Sequence, residues 1–162
     1  MAVALGVPPA LALERATTFP GVPHRFEHVG RFGEVEVIDD SKATSIQAVS
    51  RALESLADRR SVLIVGGRDK MLDAAPLRRA GGHLRAVVGY GEAGLRLLRA
   101  FGAAGPPTAY VEGFAEAVEA ACARARPGDV LLLSPACTSF DQHADYAERG
   151  AVFRRVARRC LG

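Results

Sequence analysis

Apolar residues along the chain follow two patterns, one typical of buried strands and the other of amphipathic helices. Residues 61–65 and 129–133 form nearly continuous apolar runs, as expected of strands that are buried on both faces of a sheet. Residues 46–57 instead have apolar side chains at helical spacing, at Ile46, Val49, Leu53 and Leu56. Because both patterns occur in one chain, the sequence favours an α/β fold.

The chain continues this alternation from His24 to its last residues. Alternating apolar and polar residues around a glycine-bounded turn predict a β-hairpin formed by residues 25–29 and 34–38. We therefore expect a doubly wound, mostly parallel sheet with the N-terminal hairpin at its edge. The remaining predicted elements are helices at 74–80, 91–101, 114–125 and 145–161 and strands at 84–88 and 108–111.

Residues 1–23 differ from the rest, because prolines and glycines surround one short predicted helix at 10–16. We interpret this segment as a linker or as the tail of an upstream domain, and residues 24–162 as one domain. Its start has no basic stretch followed by a long apolar run, so we expect no signal peptide. No apolar run reaches the ~18 residues that span a bilayer, so we expect no membrane segment.

The net charge of +3 suits anionic ligands without requiring nucleic acid. The three cysteines form no CxxC pair, which argues against a disulfide framework and favours a reducing cytoplasm. The arginines of the predicted last helix are interpreted as a solvated face rather than a nucleic-acid patch, because no aromatic residues lie between them for base stacking. These arginines are Arg149, Arg154, Arg155, Arg158 and Arg159.

Polar segments follow three of the predicted strands, at residues 39–45, 66–70 and 134–142. The chain has seven serines and five threonines, and six of these twelve residues lie in the first and third segments. The only two lysines, Lys42 and Lys70, lie in the first and second, and a lysine presents a compact point charge that arginine does not. Since ligands bind beyond the carboxyl ends of parallel strands, we expect one shared polar site for an anion.

Each segment also has a simpler interpretation. Ser41 or Thr44 can serve as a plain helix cap, with the charges beside it solvated. Gly66 and Gly67 either allow a ligand to approach the backbone or form an ordinary turn from strand to helix. Cys137 is interpreted as a small packed thiol, because no Cys/His partner pattern is evident.

Other catalytic patterns are absent from the sequence. It contains neither the GxxxxGK[ST] phosphate loop nor the G-x-S-x-G turn of many hydrolases. His24 and His28 are four residues apart, but no carboxylate or third ligand completes a known zinc pattern. We therefore expect no metal site in this chain.

Several motifs, in order along residues 24–162, resemble those of the Mur ligase family, in particular its D-glutamate-adding members. The DSKAT and SPAC-x-SFDQ segments differ in related ligases, which speaks against a folate-glutamating enzyme. Two positions depart from the family pattern, since Ser45 stands for a usual asparagine and His143 for a usual phenylalanine. The motifs are His24-Arg25-Phe26-Glu27, Asp40-Ser41-Lys42-Ala43-Thr44, Gly66-Gly67-Arg68-Asp69-Lys70, Ser134-Pro135-Ala136-Cys137-Thr138-Ser139-Phe140-Asp141-Gln142 and Tyr146-Ala147-Glu148-Arg149-Gly150.

The resemblance implies a Rossmann-like third domain of a three-domain ligase that acts in peptidoglycan synthesis. In that family ATP phosphorylates the carboxylate of UDP-N-acetylmuramoyl-L-alanine, and the amine of D-glutamate attacks the acyl phosphate. The phosphate loop and the Mg²⁺ sites belong to the central domain, of which residues 1–23 would be a remnant. We therefore expect a cytoplasmic monomer that is inactive alone, without nucleic-acid or membrane partners.

The resemblance also implies residue roles. Arg25 and Asp40 correspond to nucleotide contacts, and Lys42 to a catalytic group near the phosphate. D-Glutamate has two carboxylates, for which ammonium and hydroxyl groups are suitable partners. The alternative is a standalone module that binds a nucleotide or an acidic amino acid. The implied D-glutamate contacts are Thr44, Lys70 and Ser139, assisted by Phe140 and Tyr146.

Overall fold

The computed structural model describes residues 6–19 and 21–162. Helix α1 (Pro9–Thr18) covers the helix predicted at 10–16, and none of its residues is buried. The predicted N-terminal segment is described only in part, because residues 1–5 and Pro20 lie outside the described residues, as does most of the stretch without signal-peptide character. Within the described ranges, no helix has the length and apolarity needed to cross a membrane.

Six strands form one sheet, and the predicted architecture is confirmed. The first two strands pair antiparallel as a hairpin at one edge, and all other pairings in the sheet are parallel. The strands are β1 (Glu27–Phe32), β2 (Val35–Asp39), β3 (Ser61–Gly66), β4 (Leu84–Tyr90), β5 (Thr108–Val111) and β6 (Val130–Ala136). Their order across the sheet is β1-β2-β6-β3-β4-β5.

Five further helices cover the two faces of this sheet and bury an apolar layer on each side. Leu53 and Leu97 lie in the layer under the first three of them, and Phe114 and Phe153 lie in the layer under the last two. All four side chains are almost fully buried, each contributing about 1.5–3 kcal/mol of hydrophobic stabilisation. The helices are α2 (Ile46–Glu54), α3 (Ala75–Ala80), α4 (Gly91–Arg99), α5 (Phe114–Cys122) and α6 (Tyr146–Leu161).

The strand order brings the three polar segments together. Strand β6 lies between β2 and β3 and is parallel to both. The carboxyl ends of these three strands therefore meet at one edge of the sheet, and the loop after each strand is one of the predicted polar segments. The segment that follows β6 begins between the other two.

Candidate functional site

The loop after β2 is fixed by the buried carboxylate of Asp40. Its Oδ1 accepts a hydrogen bond from the Phe26 N–H at 3.0 Å, and its Oδ2 accepts one from the Ser134 hydroxyl at 2.8 Å. Asp40 therefore joins this loop both to the segment before β1 and to the end of β6.

The prediction that Ser41 or Thr44 caps the helix after this loop is wrong. The cap of α2 is Ser45, whose Oγ accepts a hydrogen bond from the Ala48 N–H at 3.3 Å, rather than Ser41 or Thr44. Serine and asparagine are both strong N-caps, so Ser45 performs the capping that the usual asparagine would. Thr44 is left half-buried beside the helix start.

The loop after β3 holds Lys70 against the first loop. The Lys70 ammonium donates to the backbone carbonyl of Thr44 at 3.2 Å. The neighbouring Asp69 accepts hydrogen bonds from the Arg96 guanidinium, which lowers the pKa of this carboxyl. Arg96 also donates to the Leu72 carbonyl at 2.6 Å, so α4 fixes this loop from both sides of Lys70.

The two glycines at the end of β3 serve packing rather than ligand approach. A Cβ on Gly66 would lie 2.1 Å from the Tyr90 carbonyl oxygen, and one on Gly67 would lie 2.3 Å from that of Thr138. Both glycines also have positive φ angles, 142° and 116°, which other residues rarely adopt. Backbone atoms of Tyr90 and Thr138 therefore occupy the space beside the two glycines that a ligand would need.

The loop after β6 is held by its own turn and by α5. The Ser139 carbonyl accepts hydrogen bonds from the N–H groups of Gln142 and His143, at 3.0 and 2.8 Å. The Gln142 side chain in turn accepts from the Phe114 N–H at 2.8 Å. The Ser139 side chain is buried, whereas Phe140 is exposed.

The departure at His143 is a packing substitution. Its ring meets the Phe114 ring edge-on, with 5.0 Å between the centroids. Burial lowers the pKa of His143, which favours the neutral imidazole. His143 therefore packs as an aromatic ring, as the usual phenylalanine would.

The second and third loops are joined directly. Arg68 and Thr138 form an isolated bridge, in which the Arg68 N–H donates to the Thr138 carbonyl at 3.0 Å. Ser139 follows Thr138, and Lys70 lies two residues beyond Arg68. Since Lys70 also contacts Thr44, the three implied D-glutamate contacts lie on one connected group of loops.

Arg149 connects the first and third loops and corrects the prediction of a solvated helix face. It is fully buried, and its guanidinium donates to the Ser41 carbonyl at 2.7 Å and the Ser41 hydroxyl at 3.0 Å. It also donates to the Cys137 carbonyl at 3.1 Å and the Tyr90 hydroxyl at 3.2 Å. The exposed positions of the predicted face are Arg155, Arg158 and Arg159.

A second arginine of that set, Arg154, fixes the segment before β1. It donates to Asp39 at 2.7 Å and to both carboxylate oxygens of Glu27, whose pKa it lowers. His24 lies in the same network, with its Nδ1 2.8 Å from Asp39 Oδ2. The sequence did not predict that Arg154 fixes this segment.

The remaining implied site residues lie around these loops. Lys42 Nζ lies 3.4 Å from the Tyr146 hydroxyl and 5.0 Å from the centre of its ring. Arg25 is exposed. Its positive charge lowers the pKa of the nearby Asp40 carboxyl, which burial raises. Cys137 is fully buried, and burial raises the pKa of its thiol, which confirms a packed thiol.

Backbone strain is concentrated beside these residues. Within the described ranges, four residues other than glycine have positive φ angles, which cost about 1–3 kcal/mol each. Two of them flank Arg25, one follows Lys70, and the last is the final residue of β6. Such strain is typical of functional sites. The four residues are His24, Phe26, Met71 and Ala136.

A surface depression of about 710 Å³ lies elsewhere, lined by Arg60, Arg78 and Arg85 among others. It lies at the amino ends of β3 and β4, opposite the three loops. Among the described residues, no three His, Cys, Asp or Glu side chains come together as metal ligands.

At neutral pH the carboxyl group of Asp40 is ionised, although its burial disfavours the charged form. Burial, the largest cause, raises its pKa from 3.8 to about 6, although the hydrogen bonds from Ser134 and Phe26 oppose the rise. Between these two values the folded chain binds more protons than the unfolded chain. The stabilisation by protonated Asp40 is therefore present at low pH and lost as the pH rises through about 6.

Replacing Asp40 with asparagine should stabilise the domain at about pH 7.5 by about 1–3 kcal/mol, with about a third of that gain at about pH 4.5. An asparagine can accept from the Phe26 N–H through its oxygen and donate to the Ser134 hydroxyl oxygen through its NH2 group, without the buried charge. Urea unfolding of both proteins at the two pH values measures this difference. The exposed Asp58→Asn is the matched control, and a variant that is less stable than the wild type at both pH values would contradict the prediction.

Comparison with known proteins identifies the family. The family model described as "Mur ligase, glutamate ligase domain" matches residues 24–137. The UDP-N-acetylmuramoylalanine–D-glutamate ligase of Salinibacter ruber is 46% identical over 151 residues, which cover 91% of this chain and 32% of that protein. The ligase of the same name from Rubrobacter xylanophilus is 48% identical over 136 residues, covering 83% and 31%.

Solved structures agree on the fold. The UDP-N-acetylmuramate–alanine ligase MurC of Thermotoga maritima matches with a TM-score of 0.68 at 20% identity, over 95% of this chain and 34% of that chain. The MurF ligase of the same organism, solved with ADP, matches with a TM-score of 0.65 at 16% identity, over 94% and 36%. This chain spans about a third of the length of the curated relatives that it matches. The chain belongs to the Mur ligase family, as a glutamate ligase domain.

Proposed function

We propose that this domain completes the amino-acid and nucleotide sites of a full-length, ATP-dependent ligase that joins D-glutamate to UDP-N-acetylmuramoyl-L-alanine. The observation that carries the proposal is the contact of the loops after β2, β3 and β6, with Lys70 bound to Thr44 and Arg149 joining Ser41 to Cys137. The name shared by the relatives at 46% and 48% identity supports the choice of D-glutamate over a folate substrate.

Thr44, Lys70 and Ser139 hold the two D-glutamate carboxylates in this proposal. The ammonium of Lys70 uses one donor for the Thr44 carbonyl, which leaves two for a carboxylate. Phe140 is 62% exposed and Tyr146 is 36% exposed, so both present accessible rings near the same loops. A charge-assisted bond from an ammonium group is among the stronger contacts available to a carboxylate.

Arg25 and Asp40 contact the nucleotide, and Lys42 lies near the phosphate chemistry. Asp40 accepts one hydrogen bond at each oxygen, which leaves acceptor capacity for ribose hydroxyls. ATP, when bound, supplies the phosphoryl group that activates the substrate carboxylate. Lys42 then offers a positive charge beside the phosphates, which stabilises negative charge in the transition state. We assign the ligands of Mg²⁺ to the central domain.

Residues 24–162 are the glutamate ligase domain in this proposal, and residues 1–23 link it to the central ATPase domain. Two observations support the assignment. The family match begins at residue 24. Leu13 of α1 and Phe19 after it are more than 60% exposed, as expected of apolar side chains that pack against another domain. The full-length ligase would be a cytoplasmic monomer that binds neither nucleic acid nor membranes.

The isolated chain should show no ligase activity, because the phosphate loop is absent from its sequence. The measurement is phosphate release from ATP in the presence of D-glutamate and UDP-N-acetylmuramoyl-L-alanine, with the full-length ligase as the positive control. ATP-dependent addition of D-glutamate by the chain alone would contradict the proposal. Titration calorimetry with D-glutamate and ADP tests the alternative, since a standalone sensor binds tightly and one part of a divided site binds weakly.

A further inference from the structure

Two of the three cysteines, which are distant in sequence, meet between the last two helices. Cys122 is the final residue of α5, and Cys160 is the next-to-last residue of α6. Cys122 is buried in an apolar cluster that includes Val156 of α6, one helical turn before Cys160, and the Cys160 thiol is among the causes that raise the pKa of Cys122. Glu119, about one turn before Cys122, and Arg159, next to Cys160, form an ion pair between the same two helices, which holds them in this register.

The two thiols differ in accessibility. Cys160 is exposed, whereas Cys122 is buried in the apolar layer with Val156 and Ala157 of α6. Burial, the largest cause, and the neighbouring Cys160 thiol raise the pKa of Cys122 to about 12. Cys160 is therefore the thiol that a reagent from solution reaches first.

We propose that Cys122 and Cys160 are an oxidisable pair that forms an intramolecular disulfide between α5 and α6. This inference is independent of the ligase function. The oxidant is a small disulfide such as oxidised glutathione. The Cys160 thiolate attacks one of its sulfurs, forms a mixed disulfide and releases one glutathione thiolate.

The second step closes the bond within the chain. Cys122 loses its proton to solvent and attacks the Cys160 sulfur, which releases the second glutathione thiolate. Two protein thiols are oxidised and one small disulfide is reduced to two thiols. The proximity of the two cysteines favours this step over attack by a second molecule of glutathione, although the high pKa of Cys122 slows it.

The disulfide would connect the ends of the two helices and close a long loop of chain. The oxidised domain should therefore unfold at a temperature about 5–10 °C higher than the reduced domain, because the bond limits the unfolded chain. Dithiothreitol should reverse the shift. The bond lies at the far end of α6 from Arg149, so the three loops need not move.

The test treats the reduced chain with oxidised glutathione and counts free thiols after denaturation. The expected result is a fall from three thiols to one in a monomeric product, with Cys122 and Cys160 joined in a single peptide pair on mass spectrometry. Cys137→Ser is the control that still forms the bond, and Cys160→Ser, at an exposed position, should lose it. Three thiols persisting, glutathione remaining on Cys160 or a disulfide between two chains would each overturn the proposal.

Discussion

Replacing Arg149 with methionine should lower the free energy of unfolding of this domain by about 3–5 kcal/mol. All four of its hydrogen bonds go to neutral oxygens of Ser41, Cys137 and Tyr90 in a buried setting. The methionine fills much of the volume but leaves these acceptors without a donor, and each lost bond to a charged donor costs about 1.5–3 kcal/mol before relaxation. Urea unfolding of the purified chain measures the change.

Arg155→Met is the matched control for Arg149→Met. It lies on the same helix but is exposed, so its replacement should change stability by less than about 0.5 kcal/mol. Arg149→Lys should recover only part of the loss, because an ammonium cannot reach several acceptors with the planar fork of a guanidinium. A loss below about 1 kcal/mol for Arg149→Met would mean that Arg149 does not hold the loops together.

The sequence predicts the fold well because apolar residues are spaced differently in the strands and in the helices. The continuous apolar runs correspond to β3 and β6, and the helical spacing of Val49 and Leu53 corresponds to α2. The position of β6 between β2 and β3 does not follow from this alternation, because periodicity says which residues are buried but not which strands are neighbours. The convergence of the polar loops could therefore be expected only from the family resemblance and from the general location of ligands in such sheets.

The burial of Arg149 was missed because charged residues in a surface helix are usually solvated. A signal was available in the spacing, since Arg149 precedes the buried Phe153 and Val156 by four and seven residues and so lies on the apolar face of α6. The Cys122–Cys160 contact left no comparable signal. It depends on how two helices pack, and the residues are distant in sequence.

Lys70→Ala in the full-length ligase should raise the KM for D-glutamate by about 100-fold and leave the KM for ATP nearly unchanged. The ammonium group makes a charge-assisted bond to a carboxylate, and losing about 2.7 kcal/mol of binding corresponds to this factor. Lys70 is exposed, and its ammonium group donates to a backbone carbonyl, that of Thr44, so the variant should fold normally. Arg78→Ala is the control, because it removes one exposed positive charge at the opposite end of the sheet.

The ratio of these two Michaelis constants, measured in parallel for the wild type, Lys70→Ala and Arg78→Ala, is the most direct test of a dicarboxylate site shared by the loops after β2, β3 and β6. The account predicts that the ratio of the KM for D-glutamate to the KM for ATP rises about 100-fold in Lys70→Ala only. A ratio that stays at the wild-type value, because both constants rise together or neither changes, would contradict it.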